Sequence, residues 1–115
     1  MLKGIRGAIT IEENTSIAIK NATIKLLNEI IKQNNIEIDL ISHVIFTLTK
    51  DIDADFPAKF ARIDLEWNNV AMMCMNELDI KNSLEKCLRV LIVYNCTNDF
   101  KPKFVYLDGA SNLRK

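Results

Sequence analysis

Residues 4–33, GIRGAITIEENTSIAIKNATIKLLNEIIKQ, change from the two-residue period of a strand to the longer period of a helix. In the strand part, the isoleucines fall on one face and Arg6 falls on the other. Asn14 or Thr15 can then cap a helix that runs to about Gln33, because a side-chain oxygen there accepts from a free amide of the first turn. The apolar stripe of that helix comprises Ile19, Ala22, Leu26, Leu27, Ile30 and Ile31.

Further strands and a short helix follow this stretch. Apolar and β-branched runs predict strands at residues 41–49, 70–75, 87–95 and 103–107. The runs VAMMCM and CLRVLIVYN are too short for typical buried helices, so we interpret both as interior strands covered on both faces. Pro57 suits the first turn of a short helix in FPAKFARIDL. Strands separated by helical pieces predict an α+β fold, in which a mixed β-sheet carries one long helix and one or more short helices.

The composition is that of a small, neutral domain. The 115 residues include fifteen Lys and Arg against fifteen Asp and Glu, and 49% are apolar. This balance removes the broad positive field of proteins that bind nucleic acid or anionic lipid, so neither is expected as a partner. No linker, repeat or low-complexity segment divides the sequence, and we expect a single domain over residues 1–115. A chain of this size buries a limited core, and oligomerisation would help it.

The sequence also bears on location and metal content. No apolar run suits a signal peptide or approaches the roughly 20 residues needed to cross a bilayer, so we expect a cytoplasmic protein. Cys74, Cys87 and Cys96 show no CxxC or Cys/His spacing, which favours reduced thiols and no structural metal. The single histidine, His43, begins an apolar strand and is interpreted as structural or solvent-facing. A glycine-rich phosphate loop and an HExxH motif are missing from the sequence.

Arg89 is the residue that most needs an explanation, because it interrupts an otherwise apolar strand. An unpaired guanidinium is costly to bury, so Arg89 must meet a carboxylate, reach solvent or bind an anionic ligand. On the pattern of this strand alone, a structural salt bridge or an edge-strand arginine that reaches water is favoured over a ligand contact. Arg6 also lies in a strand between apolar neighbours and glycines, which adds weight to an anion site.

Three other charged residues are candidates for the same site. Glu77 follows a predicted strand at the turn CMNELD, where it can point toward a pocket, although a glutamate at a turn is commonly just solvated. Lys59 and Arg62 are three apart on the short helix and share one side of it, which also fits a solvated basic face. If the fold brings these residues together with Arg6 and Arg89, four cations meet one acid. Such a pocket would suit a compact dianion.

The segments GIRGAIT, FPAKFAR, CMNELDI and CLRV, with VYL at residues 105–107, resemble the signature blocks of monofunctional bacterial chorismate mutases of the trimeric α/β class. The resemblance covers almost the whole chain in the same order and spacing, apart from a short deletion near residues 98–102. It implies a homotrimer of α/β-barrel-like shape, with three active sites in clefts between subunits. It also implies a conversion of chorismate to prephenate without cofactor or metal. That reaction needs a folded substrate and a positive charge where negative charge develops.

The resemblance further implies roles by position. Arg6 would hold a carboxylate of the substrate, and Arg89 would bond the ether oxygen as the C–O bond breaks. Glu77 and Cys74 would contact the ring hydroxyl, and Tyr106 would add a hydrogen bond near the other carboxylate. The residues expected from the neighbouring subunit or the mouth of the cleft are Phe56, Ala58, Lys59 and Arg62. The remaining expected contacts are Met72 and Met73, through their backbone, and Leu113 and Arg114, from a C-terminal segment that helps to close the cleft.

Two interpretations without catalysis stay open at this point. A trimeric carboxylate-binding protein of similar shape would also use Arg6 or Arg89, although it has less need of Glu77 and Tyr106. An inert subunit would use the arginines only to hold copies of the chain together.

Overall fold

The computed structural model describes residues 1–113. In chain order its elements are β1 (Leu2–Thr10), α1 (Ser16–Asn34), β2 (Ile41–Leu48), α2 (Pro57–Asp64), β3 (Ala71–Asn76), β4 (Cys87–Asn95) and β5 (Val105–Leu107). Short 3-10 helices, Ile38–Leu40 and Asp108–Ala110, precede β2 and follow β5. The predicted α+β fold, with a mixed sheet, one long helix and one short helix, is confirmed.

The five strands form one sheet in the order β3-β2-β4-β1-β5. The strand β4 is central and runs antiparallel to both of its neighbours, β1 and β2. The edge strands are added in parallel, β3 beside β2 and β5 beside β1. Cross-strand partners project from the same face of a sheet, so this register decides which side chains meet.

Helix α1 lies on one face of the sheet and is fixed at both ends. The Thr15 hydroxyl caps it by accepting from the Ala18 N–H at 3.1 Å, and Asn35 ends it in the left-handed conformation. Gly7 allows the helix to approach β1 closely, because a Cβ at this position would lie 2.6 Å from Ile30 Cδ1. Because Gly7 has no side chain, helix α1 can lie this close to the sheet.

The hydrophobic core lies between the sheet and the helices. Its fully buried large side chains include Ile5, Ile9, Ile19, Leu26, Leu27, Ile30, Val44, Phe46, Leu88 and Ile92. The predicted isoleucine face of β1 and the predicted stripe of α1 meet here, as helix-on-sheet packing requires. The short helix α2 adds Phe60 and Ala61 to the same core.

The prediction that the runs at residues 70–75 and 87–95 are interior strands covered on both faces is wrong in part. The strand β3 lies at the edge of the sheet, and Met73 and Met75 on it are 61% and 44% exposed. The strand β4 is interior, but only one of its faces is fully buried, since Leu91 and Val93 on the other face are half-buried. Apolar residues on both sides of a strand indicate cover on both sides, and within residues 1–113 the chain supplies that cover on one side.

The second face of the sheet is thus left open by the helices, and we call it the open face. The apolar side chains that it carries are Leu2, Ile45, Met73, Met75, Leu91 and Val93. Arg6, Thr47 and Arg89 project among them. In the part of the chain that the structure describes, no helix is both long and apolar enough to cross a bilayer.

Candidate active site

A cavity of about 200 Å³ on the open face contains the three predicted catalytic residues. The residues that line it are Arg6, Ile45, Thr47, Glu77, Arg89, Val90 and Leu91. The strand register brings them together, because Arg6 is paired with Leu91 on β4 and Thr47 is paired with Arg89. Arg6, Glu77 and Arg89 are 71 and 12 residues apart along the chain, and the sheet places them around one cavity.

Glu77 is held in this cavity at both its backbone and its side chain. Its N–H donates to the Leu48 carbonyl at 2.8 Å, which extends the pairing of β3 with β2 by one residue. The Thr47 hydroxyl donates to Glu77 Oε2 at 2.6 Å. The same Oε2 lies 3.5 Å from Arg89 Nε, which makes an ion pair between two partly buried side chains. The carboxylate therefore faces the guanidinium across the cavity.

Two buried polar atoms at this site have no hydrogen-bond partner within residues 1–113, namely Arg89 Nε and Tyr106 Oη. Both belong to the predicted set. Ala8 of β1 is the cross-strand partner of Arg89 on one side and of Tyr106 on the other, so both side chains lie on the open face around Ala8. Buried donors without partners are rare and costly in proteins, and they mark a place where a ligand can complete the hydrogen bonds.

Arg6 adds an uncompensated charge to the cavity. Within residues 1–113 its guanidinium makes no hydrogen bond or ion pair. Arg6 and Arg89 give two positive charges against one negative charge from Glu77, an excess of one. Since the cavity is partly shielded from water, such an excess favours an anionic ligand.

A small apolar cluster adjoins Tyr106 and includes part of the C-terminal segment. Its buried members are Ala8, Cys87 and Ala110, and Tyr106 and Leu113 pack against them. Burial raises the pKa of the Cys87 thiol, and the Arg89 guanidinium beside it partly opposes this shift. The structure thus places Leu113 near Tyr106, whereas Arg114 lies outside the described residues.

Six further residues that were predicted to contact the substrate line a second cavity, of about 340 Å³. Its lining residues are Phe56, Ala58, Lys59, Arg62, Met72 and Cys74. Helix α2 supplies Ala58, Lys59 and Arg62, and Phe56 directly precedes it. The strand β3 supplies Met72 and Cys74. Burial raises the pKa of the Cys74 thiol, and contact with the backbone of Ala58 partly opposes this shift. A raised pKa disfavours the thiolate, which is the nucleophilic form of cysteine.

These two groups of residues lie on opposite faces of the sheet. Cys74 pairs with Phe46, whose side chain is in the core, whereas Thr47 projects into the cavity on the open face. Cys74 and Glu77, expected to contact the same hydroxyl, therefore line different cavities of one chain. Met73 pairs with Ile45 and projects from the open face, apart from Met72.

Thr47 belongs to the cavity but was not predicted from the sequence. A signal for it exists, because it is a hydroxyl-bearing residue in the apolar run VIFTL and alternates with the buried Phe46 and Leu48. Among the described residues, no group of three or more His, Cys, Asp or Glu is arranged to hold a metal ion.

The fold and the two cavities define a small α+β protein with a cavity on the open face of its sheet in which positive charges exceed negative ones. The sequence model of the family "Chorismate mutase type I" matches residues 2–115. Chorismate mutase AroH of Bacillus subtilis is 36% identical over 115 residues, which cover 99% of this chain and 91% of that protein. Chorismate mutase AroH of Thermus thermophilus is 39% identical over 116 residues, which cover 99% of this chain and 94% of that protein.

A solved structure agrees with these relatives. The chorismate mutase from Clostridium thermocellum superposes with a TM-score of 0.89 at 50% identity, and the match covers 94% of this chain and 96% of that one. The chain belongs to the chorismate mutase type I family.

Proposed function

We propose that this protein is a chorismate mutase that rearranges chorismate to prephenate, a step in aromatic amino-acid biosynthesis, and that its site uses Arg6, Glu77 and Arg89. Family membership supports the reaction. The observation that supports the site concerns residues 1–113, where buried polar atoms of Arg89 and Tyr106 have no hydrogen-bond partner and the charge of Arg6 is not paired. An arginine with a structural role alone would be expected to satisfy its buried Nε–H by a hydrogen bond within the protein.

The chemistry asked of these residues is binding and electrostatic stabilisation. Arg6 holds one carboxylate of the substrate. Arg89 donates to the ether oxygen, which gains negative charge as the C–O bond breaks, and a preorganised donor there lowers the barrier. Glu77 accepts from the ring hydroxyl, and Tyr106 donates near the second carboxylate. The rearrangement moves no proton and forms no covalent intermediate with the protein, so the site needs no nucleophile.

We further propose that the active protein is a homotrimer in which each site joins the two cavities of neighbouring copies. In this arrangement one copy contributes Arg6, Glu77, Arg89 and Tyr106, and its neighbour contributes Phe56, Ala58, Lys59, Arg62, Met72 and Cys74. The opposite placement of these groups supports it, because one copy does not bring them together. The apolar side chains of the open face supply a surface for assembly.

The charges of such a shared site match its substrate. Arg6, Lys59, Arg62 and Arg89 give four positive charges, and Glu77 and the Asp55 that pairs with Lys59 at 3.1 Å give two negative charges. The excess of two equals the charge of a dicarboxylate. We also propose that Arg114 and the backbone of Met73 contact the substrate at the rim of the shared site.

We also propose one domain over residues 1–115 and a cytoplasmic location. The family match over residues 2–115 and the single sheet support the first proposal. The three free cysteines support the second, since unpaired thiols are typical of reducing compartments.

One assay tests the function directly. Purified protein is mixed with chorismate, without added metal or cofactor, and the loss of chorismate absorbance in the ultraviolet is followed. We expect saturable turnover far above the spontaneous rate. Conversion at the spontaneous rate by folded protein would overturn the proposal and leave a carboxylate-binding protein of the same fold.

A further inference from the structure

Thr47 occupies a special place on the open face. It is the cross-strand partner of Arg89 and lines the cavity with it. Its neighbours along β2, Phe46 and Leu48, point into the core. Most of the other lining contributed by β2 and β4 is apolar, so a hydroxyl here has few partners besides Glu77 and Arg89.

The hydroxyl makes one short hydrogen bond, to the oxygen of Glu77 that faces Arg89. Thr47 Oγ1 lies 2.6 Å from Glu77 Oε2, and Arg89 Nε lies 3.5 Å from that same oxygen. A charge-assisted hydrogen bond between guanidinium and carboxylate normally closes to about 2.7–2.9 Å. Within residues 1–113, the Arg89 Nε–H has no hydrogen-bond partner, although it is buried beside a carboxylate. Glu77 also donates its backbone N–H to the Leu48 carbonyl. Two neighbouring residues of β2, Thr47 and Leu48, therefore fix its carboxylate and its backbone.

We propose that Thr47 is a positioning residue of the active site, which holds the Glu77 carboxylate short of Arg89 and so keeps the Arg89 Nε–H free for the substrate. This inference rests on the proposed function and deepens it. Without the hydroxyl, Glu77 closes on Arg89 as a tight ion pair. In that ion pair, the Arg89 Nε–H donates to Glu77 and the guanidinium charge is neutralised. Arg89 then stabilises the negative charge that develops on the ether oxygen less well.

The test replaces the hydroxyl by a methyl group of similar size. For Thr47→Val we expect kcat with chorismate to fall about tenfold, as for the loss of one hydrogen bond to a charged group. We expect KM to change less than about twofold, because the interaction lost grows in the transition state. Thr47→Ser keeps the donor and restores most of the turnover. Circular dichroism and the melting temperature show whether each variant is folded.

A double-mutant cycle shows whether the effect passes through Glu77. In a Glu77→Gln background, we expect Thr47→Val to lower kcat less than about twofold, since no carboxylate is left to close on Arg89. Thr23→Val is the matched control. It removes another buried threonine hydroxyl, which donates to the Ile19 carbonyl at 2.7 Å within α1, and it should leave kcat and KM unchanged.

The outcomes separate the two proposals. If wild-type protein turns over chorismate and Thr47→Val does so equally well, the positioning role is overturned and the proposed function stands. The role is also overturned if Thr47→Val costs the same in both backgrounds, or if Thr47→Ser fails to restore kcat. If folded wild-type protein shows no turnover, the proposed function fails and the inference built on it fails with it.

Discussion

Arg89 Nε lies 3.5 Å from Glu77 Oε2, near enough for an ion pair and too far for a good hydrogen bond. The two side chains therefore attract without using up the guanidinium donor. The Arg89 Nε–H is buried and has no hydrogen-bond acceptor within residues 1–113, an arrangement that is rare and costly in proteins.

Replacing Arg89 with Lys should preserve the fold and remove most of the activity. Lysine keeps the charge but loses the planar fork that can serve an ether oxygen and a nearby carboxylate together. We expect kcat to fall about 100- to 1,000-fold, as for loss of a preorganised donor at a developing oxyanion. Steady-state kinetics and a melting curve measure both effects. Near-normal turnover in the folded variant would exclude this role for Arg89.

Replacing Glu77 with Gln keeps the shape of the side chain and removes its charge. We expect kcat/KM to fall about 10- to 100-fold, because the amide is a weaker acceptor for the substrate hydroxyl. Glu29→Gln is the matched control, since Glu29 lies on α1 outside both cavities and accepts a hydrogen bond from Gln33 at 2.9 Å. Equal kinetics in the two variants would remove Glu77 from the site.

Mixing two inactive variants tests whether the site is shared between copies. Arg89→Lys damages the cavity on the open face, and Arg62→Glu reverses a charge in the second cavity. In trimers assembled at random from equal amounts of both, about one quarter of the sites combine an intact Arg89 with an intact Arg62. We expect recovery of about a quarter of wild-type turnover after joint refolding. Activity no greater than the sum of the separate variants would mean that one copy carries a whole site.

Asp51 should make stability depend on acid pH. Burial acts to raise the pKa of Asp51, but hydrogen bonds from the Thr49 hydroxyl and the Lys86 backbone N–H outweigh it, so its pKa lies below the usual 3.8. A lowered pKa means that the carboxylate stabilises the fold above about pH 3.8 and that this contribution is lost as pH falls further. Asp51→Asn should therefore lower the free energy of unfolding at pH 7 by about 1–2 kcal/mol.

Urea denaturation at pH 7 and at pH 3 measures the effect of Asp51→Asn. The difference between wild type and variant should shrink at the lower pH. The exposed Asp39→Asn serves as the control and should change stability little at either pH. A difference for Asp51→Asn that is as large at pH 3 as at pH 7 would show that the charge of this carboxylate is not the cause.

Gly7→Ala should destabilise the protein through the packing of α1 on β1. The added methyl would lie 2.6 Å from Ile30 Cδ1 and 3.2 Å from the backbone oxygen of Val105, so the buried Ile30 side chain or the helix has to shift. We expect a loss of about 1–3 kcal/mol in the free energy of unfolding, measured by urea denaturation. Gly4→Ala is the comparison, because its methyl meets only the flexible end of Leu91 at 3.2 Å. Similar losses in both variants would contradict the close approach of the helix.

Much of the fold was predictable because its signals are local. Alternation in β1, the capping hydroxyl of Thr15 and the apolar stripe of α1 each act over a few residues, and the structure confirms all three. The edge position of β3 was not predictable in this way. The run at residues 70–75 is apolar throughout, which is typical of an interior strand. The position of β3 in the sheet depends on its pairing with β2, which lies far away in the sequence.

The candidate site divides in the same manner. Arg6, Glu77 and Arg89 were identified because each is a charged residue in or next to an apolar strand, and the structure brings them to one cavity. The separation of Cys74 from Glu77 could not be foreseen, since it depends on which face of β3 continues into the turn. Thr47 was missed because a single threonine in a strand is common, and only the register shows what it touches.

The open face and the free edge of β3 affect the tendency of single copies to aggregate in the cell. A newly folded copy that has not met its partners exposes apolar side chains together with unpaired strand hydrogen-bonding groups, and such surfaces are prone to aggregation. Under the trimer proposal, assembly removes that hazard only when copies meet often enough. The yield of soluble protein should then depend on the rate at which the chain is made, and the melting temperature on its concentration.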